Sequence, residues 1–380
     1  MPRKKNGYNL NGKKLVQIRT LNGVQVFDNQ RYIEKDRSSS FSFLQGYCSS
    51  LGQEQGFQSK GLLEFISRYV CKLSYENVSL LLEDMIRQPI YTGNQIEHKI
   101  IALRPVIEAA KSTLYNGLQL SFNFVKPDIN LYDPHEKEVL YYDDAVGVTK
   151  QKEHRKDKDY EKTERYVQTD NVLIEKPTHD FEYISANDKV LDSVPLEFQI
   201  NRFLSAQYGG KIIPLVAITD GARTIRLRLY ALFGVYVCII LDWYHLNKKV
   251  WQYFSRLGQT KANKERHIHA VLNYLWNGCV REALIYTEQE MAVPFNKQPF
   301  LEEFQNYLLK HETEIIDYDT RYRITGKSIG SGRGEKANDQ IVAMRQKHNG
   351  CSWSEQGSAA IAQLQCLRLN KQWDTFWAAA

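Results

Sequence analysis

The chain has 380 residues, 43% hydrophobic and 25% charged, a balance that supports a sizeable buried core. Fifty lysines and arginines against 44 acidic residues give a net charge of +6, which permits a polyanionic partner without requiring one. The six cysteines are scattered, which excludes a zinc finger and a disulfide framework. No apolar run approaches the roughly 20 residues of a membrane span, and the polar N-terminus is unlike a signal peptide. We therefore expect a cytoplasmic protein with no membrane partner.

The first 60 residues are predicted to form a basic arm. Segments 15–18 and 24–27 alternate as strands and flank Asn22 and Gly23, which are predicted to supply the two positive-φ positions of a tight hairpin turn. The Ser-rich stretch 38–42 and the Gly/Gln-rich stretch 50–60 are typical of linkers.

Residues 61–115 have the apolar spacing of three short helices. Ser74 is the predicted N-cap of the second helix, and the third begins near Thr92. Such a trio resembles a helix-turn-helix, whose last helix enters the major groove of DNA. Short helices with apolar stripes are equally typical of plain packing modules, so a helical DNA-binding module and a packing role both remain open.

Residues 116–242 are predicted to form the first part of an α/β core. Strands are predicted at 138–150, 166–174, 181–184, 211–220 and 235–242, with helices at 196–207 and 222–232. The charged run 150–165 is predicted to be the solvated tip of a long hairpin. A hairpin followed by a β-α-β unit with acids at its strand ends resembles a ribonuclease H-like mixed-sheet core.

Residues 243–325 are predicted to form an all-α insertion, with helices at 244–257, 263–276, 281–291 and 301–309 and an extended segment at 317–326. Residues 326–380 then hold a Gly/Ser-rich turn, a helix through about 346 and one closing helix over 354–377. The closing helix carries Trp353, Trp373 and Trp377 among its apolar side chains. We therefore predict that it packs against the helix that begins near Glu335 and buttresses it.

Three acids are candidates for a metal site. Asp143 lies in the first strand of the core, Asp220 ends a later strand, and Glu335 opens a helix after a flexible run of glycines. Converging carboxylates provide the hard oxygen ligands that Mg²⁺ prefers. Two such ions can stabilise the attacking and leaving oxygens of a phosphoryl transfer. Taken singly, each acid could equally be a helix cap or a surface charge.

Five sequence blocks carry a family resemblance: YDDAVGV (142–148), TDGA (219–222), LDWYH (241–245), IGSGRGEKA (329–337) and WSEQGSAAIAQLQCLRLNKQWDTFW (353–377). Over residues 60–377 the chain is similar to the Kra-type insertion-sequence transposases, relatives of the Mutator-like group. The resemblance implies an Asp-Asp-Glu transposase for DNA transposition and recombination, built on a ribonuclease H-like core with a helical insertion. It implies two Mg²⁺ or Mn²⁺ ions in each active site, held by Asp143, Asp220 and Glu335.

The same resemblance implies double-stranded DNA as partner, both the terminal inverted repeats and the target. It further implies a homodimer or higher oligomer on DNA and a bacterial, nucleoid-associated location. A ribonuclease H-like nuclease and a non-catalytic DNA-binding protein remain the alternatives.

Two assignments stay open within the blocks. Asp143 and Asp144 compete as first ligand, because neighbouring residues of a strand face opposite ways and a one-residue register error would exchange them. Asp242 and His245 match a D-x-x-H block, which implies that they lie behind the metal ligands. The alternative is that Asp242 caps the following helix and pairs with His245.

Basic residues near the three candidate acids are predicted to contact the DNA backbone, where charge neutralisation dominates affinity. They are Lys150, Lys152, Arg155, Arg223, Arg226, Lys327 and Arg333. Those in the 150–165 run alternate with acids, so this run is also typical of a solvated loop.

Overall fold

In the computed structural model, residues 8–37, 39–42, 57–113, 125–152, 165–209, 211–347 and 350–379 are described. The strands are β1 (Tyr8–Thr20), β2 (Gly23–Glu34), β3 (Ser40–Phe41), β4 (Phe57–Gln58), β5 (Val139–Thr149), β6 (Tyr166–Glu175), β7 (Phe181–Ala186), β8 (Leu215–Thr219) and β9 (Cys238–Leu241). The helices up to the second half of the sheet are α1 (Lys60–Val70), α2 (Tyr75–Ile86), α3 (Gly93–Thr113), α4 (Leu196–Tyr208) and α5 (Arg223–Phe233). The later helices are α6 (Trp243–Phe254), α7 (Lys261–Trp276), α8 (Val280–Gln289), α9 (Gln298–Lys310), α10 (Tyr318–Thr325), α11 (Gly332–Asn338), α12 (Glu355–Leu369) and α13 (Trp373–Ala379).

The central sheet has the strand order β7-β6-β5-β8-β9 within the described residues. Strands β5, β6 and β7 form an antiparallel meander, and β8 and β9 continue it as parallel strands on the other side of β5. Parallel neighbours need a crossover, and α5 provides the one between β8 and β9. The predicted mixed α/β class is therefore confirmed.

Each face of the sheet carries its own apolar cluster. Tyr141 of β5 faces the cluster formed with α4 and α5, where Ile200 and Leu229 are fully buried. Its neighbour Tyr142 faces the larger cluster, which includes α1 to α3, the insertion helices and α12. This strict alternation along β5 decides what each of its acids can contact.

Helix α12 is the central support of the larger cluster. Every residue from 357 to 367 is buried, so this helix has no solvent face, as expected of a helix enclosed on all sides. It packs along α3, β7 and the segment that follows α11. Its polar side chains are satisfied by backbone oxygens, since Gln363 donates to Ser185 at 2.8 Å and Gln365 donates to Cys71 at 2.8 Å.

The chain from α11 onward differs in detail from its prediction. The predicted single closing helix is wrong, because the chain breaks at Lys371, whose φ is +58°, before α13 begins. Between α11 and a last helical turn at Met344–Gln346, the segment Asp339–Ala343 is a π-helix. The π segment lies against α12. Trp373, in the separate helix α13, donates to Glu64 of α1 at 3.1 Å.

The N-terminal hairpin is longer than predicted, and its turn is shifted by one residue. Leu21 and Asn22 form the two-residue loop, and Gly23, with φ of +92°, is already the first residue of β2. The prediction of two positive-φ positions is therefore wrong, since Asn22 does not adopt one. The predicted linkers contribute β3 and β4 to this second sheet, while residues 43–56 lie outside the described part.

The three helices predicted over 61–115 are present. Ser74 caps α2 by accepting from the backbone N–H of Asn77 at 3.1 Å. Helix α3 lies against α12 and holds a buried ion pair at 2.9 Å between Arg104 and Glu108. The module therefore shares one continuous apolar cluster with the sheet.

The extended segment predicted at 317–326 is instead the helix α10. Asp317 caps it by accepting from the backbone N–H of Thr320 at 2.9 Å. Arg321, fully buried, pairs with Glu138 at 2.6 Å. This pair joins the helix to a residue far away in the chain, a contact that the sequence of the helix does not reveal.

Among the described helices, none combines the length and the hydrophobicity needed to cross a membrane. The described cysteines are free thiols, at Cys71, Cys238, Cys279, Cys351 and Cys366, and Cys48 lies outside the described residues.

Candidate carboxylate site

The parallel register of β5 and β8 brings two acids side by side. Tyr142 lies opposite Ile218, and the same register continued by two residues sets Asp144 beside Asp220. Neighbouring strands lie about 4.8 Å apart, and residues in register point to the same face. Asp144 and Asp220 therefore project from adjacent positions toward the larger cluster, and both are partly exposed.

Strand β9 extends this row of acids. Thr219 lies opposite Leu241, and the backbone N–H of Asp242 donates to the carbonyl of Thr219 at 2.8 Å. Asp242 thus follows Asp220 at the end of the next strand. Asp144 of β5, Asp220 after β8 and Asp242 after β9 therefore lie on three neighbouring strands, at the carboxyl ends of the parallel strands β8 and β9.

The charges of two other carboxylates affect the pKa of Asp144. It accepts hydrogen bonds from the backbone N–H of Ala145 at 2.7 Å and from Asn338 Nδ2 at 2.6 Å. Burial raises the pKa of Asp144, and the charges of Asp220 and Glu335 add to this increase against the opposing effect of Ala145. Asp220 is beside Asp144 in the strand register, and Asn338, one turn after Glu335, donates to Asp144. We call Asp144, Asp220 and Glu335 the carboxylate site.

Asp143 does not join the carboxylate site. Its side chain points to the opposite face of the sheet, where both oxygens accept from Arg228 Nη1 at 2.8 and 3.0 Å. The Tyr141 hydroxyl donates to it at 3.0 Å. Burial raises the pKa of Asp143 to about 6 although Arg228 acts in the opposite direction. The aspartate of β5 that lies beside Asp220 is therefore Asp144, whereas Asp143, the first ligand named from the sequence, lies on the opposite face.

A glycine makes the sharp turn after Asp220 possible. Gly221 has a φ of +83°, a conformation that side chains with a Cβ rarely adopt. A Cβ at this position would also lie 2.8 Å from His311 and 2.9 Å from Leu241. The Asp220 carboxylate accepts from the backbone N–H of Ala222 at 2.8 Å, which fixes its orientation at the start of α5.

Glu335 reaches the group because α11 lies directly on β5. A Cβ at Gly334 would come within 2.9 Å of the Tyr142 Cβ, so a glycine is needed for this close approach. Glu335 itself is exposed. Its neighbour one turn later, Asn338, donates to Asp144 and accepts from Asn171 Nδ2 at 2.9 Å. Asn338 was missed from the sequence, where only its spacing of three residues from Glu335 indicates a shared helix face.

Asp242 caps a helix and also holds the turn before Glu335. Its carboxylate accepts from the backbone N–H groups of Tyr244 at 2.6 Å and His245 at 3.0 Å. Its second oxygen accepts from the backbone N–H of Ser331 at 2.5 Å and from the Ser331 hydroxyl. Burial opposes ionisation, but the bonds from His245 and Ser331 lower the pKa of Asp242 to about 2. The capping alternative is therefore correct, and it includes an anchor for the start of α11.

His245 lies between Asp242 and the carboxylate site. Its Nδ1 is 3.5 Å from the Asp242 carboxylate, an ion-pair distance rather than a good hydrogen bond. The interaction with Asp242 raises the pKa of His245, burial opposes this, and the charges of Asp220 and Glu335 raise it further. A protonated His245 would partly compensate the negative charge of the group.

The acids of the carboxylate site lack the cationic partners that three neighbouring buried acids have. Asp143, Glu138 and Glu175 are each ion-paired with an arginine. Across the described ranges, no ion pair includes Asp144, Asp220 or Glu335. Such unpaired carboxylates repel one another, and a bound cation relieves that repulsion.

The donor set of the carboxylate site fits a magnesium or manganese ion. All three side chains offer hard oxygens, which these ions prefer. Within the part of the chain that the structure describes, no group of three or more His, Cys, Asp or Glu side chains is arranged so that it could hold a metal ion. Asp144 and Asp220 are partly exposed and Glu335 is exposed.

Four of the cations that were predicted to contact DNA are paired with an acid of the same chain. Lys150 pairs with Glu355 at 3.1 Å, Arg226 with Glu314 at 2.8 Å and Lys327 with Glu138 at 2.8 Å. Arg333 pairs with Glu175. Arg223 and Lys152 are exposed, and Arg155 lies outside the described residues. Arg223, in the first turn of α5 directly after the Asp220 turn, is the predicted cation best placed for a phosphate.

No family model matches the chain, and no curated protein matches it.

Proposed function

We propose that the chain is an Asp-Asp-Glu transposase with a ribonuclease H-like core, in which Asp144, Asp220 and Glu335 are the three carboxylates of the active site. The observation that carries this proposal is that these three acids lie near one another, without ion-pair partners, at the carboxyl end of β8 in a mixed sheet. An antiparallel meander continued by two parallel strands is the arrangement expected of such a core, and it supports the proposal.

Two Mg²⁺ or Mn²⁺ ions would be held by Asp144, Asp220 and Glu335. When bound, they supply stabilisation of the attacking and leaving oxygens of a phosphoryl transfer. The chain's own residues orient the ligands: Asn338 fixes Asp144, Gly221 sets the turn at Asp220, and Asp242 anchors the start of the Glu335 helix. Such secondary contacts typically decide how well a ligand set is positioned.

The proposed substrate is double-stranded DNA carrying the terminal inverted repeats of an insertion sequence. In the first step, water attacks a phosphorus atom at the element end, and the 3′-oxygen leaves as a hydroxyl. In the second step, that 3′-hydroxyl attacks a target phosphodiester and displaces a target 3′-oxygen. Neither step needs an oxidant or a nucleotide cofactor. A homodimer or higher oligomer on DNA, associated with the bacterial nucleoid, belongs to the same proposal.

The test is cleavage and joining of inverted-repeat DNA with Mg²⁺. We expect Asp220→Asn and Glu335→Gln to lose both reactions while they retain DNA binding, because each change removes a ligand charge with little change in shape. Glu302→Gln, on the exposed surface of α9, is the matched control and should keep both reactions.

Three outcomes separate the alternatives. Cleavage without joining by the wild-type chain would indicate a ribonuclease H-like nuclease. DNA binding without metal-dependent cleavage would indicate a non-catalytic DNA-binding protein. Full Mg²⁺-dependent activity in either ligand variant would contradict the proposed site.

A further inference from the structure

Three consecutive aromatic residues after Asp242 have different surroundings. Trp243 turns inward and packs edge-on against Trp276 at 4.7 Å between ring centroids. His245 turns toward Asp242. Tyr244 remains 66% exposed in the first turn of a helix that starts at the proposed site. Exposed aromatic area next to a reaction centre is available for a ligand.

The ring of Tyr244 lies against the turn that leads to Glu335. A Cβ added to Gly330 would be 2.6 Å from Tyr244 Cδ2 and 3.7 Å from the Asp242 carboxylate. Gly330 is therefore the residue that leaves room for the ring. Gly330 lies in the turn before the Glu335 helix, and Asp242 is bonded to Thr219, the residue before Asp220. Tyr244 therefore lies near the elements that carry Asp220 and Glu335.

Tyr244 belongs to an exposed face of α6. The buried stripe of this helix is Leu246, Val250 and Phe254, at intervals of four residues. Tyr244 and Lys248, four residues apart, share another face, and Trp251 continues it with 37% exposure. Within the described residues no ion pair includes Lys248, and its side chain is exposed. We call Tyr244, Lys248 and Trp251 the α6 platform.

We propose that the α6 platform binds a single-stranded DNA end beside the carboxylate site, with Tyr244 stacking on an unpaired base and Lys248 contacting its phosphate. This inference rests on the proposed function. Aromatic rings that stack on bases tolerate any sequence, because every base has a π-face, and cations beside them neutralise the backbone. A platform of this kind would keep the reactive strand end apart from its complement while the phosphodiester lies at the carboxylates.

The binding test needs no catalysis. We would measure the fluorescence of 2-aminopurine in the unpaired terminal nucleotide of an oligonucleotide, with wild-type protein and EDTA. Stacking on Tyr244 should quench it, and Tyr244→Phe should preserve the quenching. Tyr244→Ala should abolish the quenching and weaken binding of the single-stranded end about tenfold, while binding of a blunt duplex changes little.

Tyr236→Ala is the matched control, since Tyr236 is 60% exposed but lies at the opposite end of β9 from Asp242. Tyr236→Ala should behave as wild type. If Tyr244→Ala melts at a lower temperature, Tyr244→Leu keeps the apolar volume without an aromatic ring and should show the same loss of quenching.

Unchanged quenching in both Tyr244→Ala and Tyr244→Leu would overturn the platform, whether or not the wild-type chain cleaves DNA. Quenching that depends on Tyr244 in a protein unable to cleave with Mg²⁺ would instead support the platform and contradict the transposase proposal. The same loss in Tyr236→Ala as in Tyr244→Ala would also overturn the platform, because it would indicate a nonspecific effect.

Discussion

At the scale of single residues, Asp143 and Asp144 are the clearest contrast in the molecule. They are adjacent in sequence, yet one lies in a buried ion pair and the other faces two further carboxylates. The geometry of a strand causes this difference, because successive side chains point to opposite faces. Their identical chemistry therefore leads to different predicted effects on mutation.

We expect Asp144→Asn to abolish metal-dependent cleavage without lowering thermal stability, since it removes a charge that burial and two neighbouring acids already disfavour. Asp143→Asn should lower the free energy of unfolding by about 1–3 kcal/mol, because an amide has one acceptor oxygen in place of the two that take hydrogen bonds from Arg228 and Tyr141 in a buried position. Its folded fraction should still cleave DNA. Urea unfolding and a cleavage assay on both variants check this, and inactive, fully stable Asp143→Asn protein would reverse the assignment.

The sequence analysis named Asp143 as the first ligand and kept Asp144 as the alternative, whereas the proposed site contains Asp144. The choice depends on the register of β5 against β8 and on which face carries Arg228. Arg228 is 85 residues away in the chain, so no local pattern connects it with Asp143. Asn338 was missed for a similar reason, since its partners come from β5 and β6.

At the scale of elements, helices with strong local signals were predicted well. Ser74 and Ser354 are both N-caps, and they accept from the backbone N–H three residues later. Helix α10 was missed because its buried contacts, among them the Arg321–Glu138 pair, join it to distant parts of the chain and leave no local pattern. The break between α12 and α13 was missed because Lys371 has no turn signature in the sequence.

The short helix α13 gives a prediction at this scale. Trp373 is buried, donates to Glu64, and has the Arg68 guanidinium 5.5 Å from its ring centre. Trp373→Ala should lower the free energy of unfolding by about 3–5 kcal/mol, the usual effect of truncating a buried tryptophan. Activity should fall only with the folded fraction, because Trp373 contacts Glu64 and Arg68 of α1 and supplies no ligand to the proposed site.

Phe295→Ala is the control for this substitution, since Phe295 is 94% exposed and its truncation should leave the melting temperature unchanged. Equal melting temperatures for Trp373→Ala and wild type would show that α13 contributes nothing to the fold.

At the scale of the whole molecule, the N-terminal helices and the sheet form one packed body. Helix α3 lies along α12, and Lys111 of α3 donates to Gln363 of α12 at 2.8 Å. The sequence predicted these helices as a separable module, because apolar periodicity shows that a face is buried but not against what. Their role in DNA binding stays a prediction, whereas their role in packing follows from these contacts.

Deleting residues 1–115 should therefore destroy cooperative unfolding, because α12 would lose the partner that covers one of its apolar sides. Deleting only residues 1–37, which removes β1 and β2 and leaves α1 to α3 in place, should preserve a cooperative transition. Thermal melts followed by circular dichroism compare the two truncations. A cooperative melt in the longer deletion would show that the module and the sheet fold independently.

The position of α12 has a consequence for how the chain is made. Ribosomes add about 5–20 residues each second, and α12 is synthesised long after β7, against which it packs. For a time on the order of ten seconds, the apolar surfaces of β7 and α3 have left the ribosome without their covering helix. The sheet therefore cannot reach its final packing during most of translation. Chaperones that shield apolar surface would be most valuable to this protein while its nascent chain is still attached.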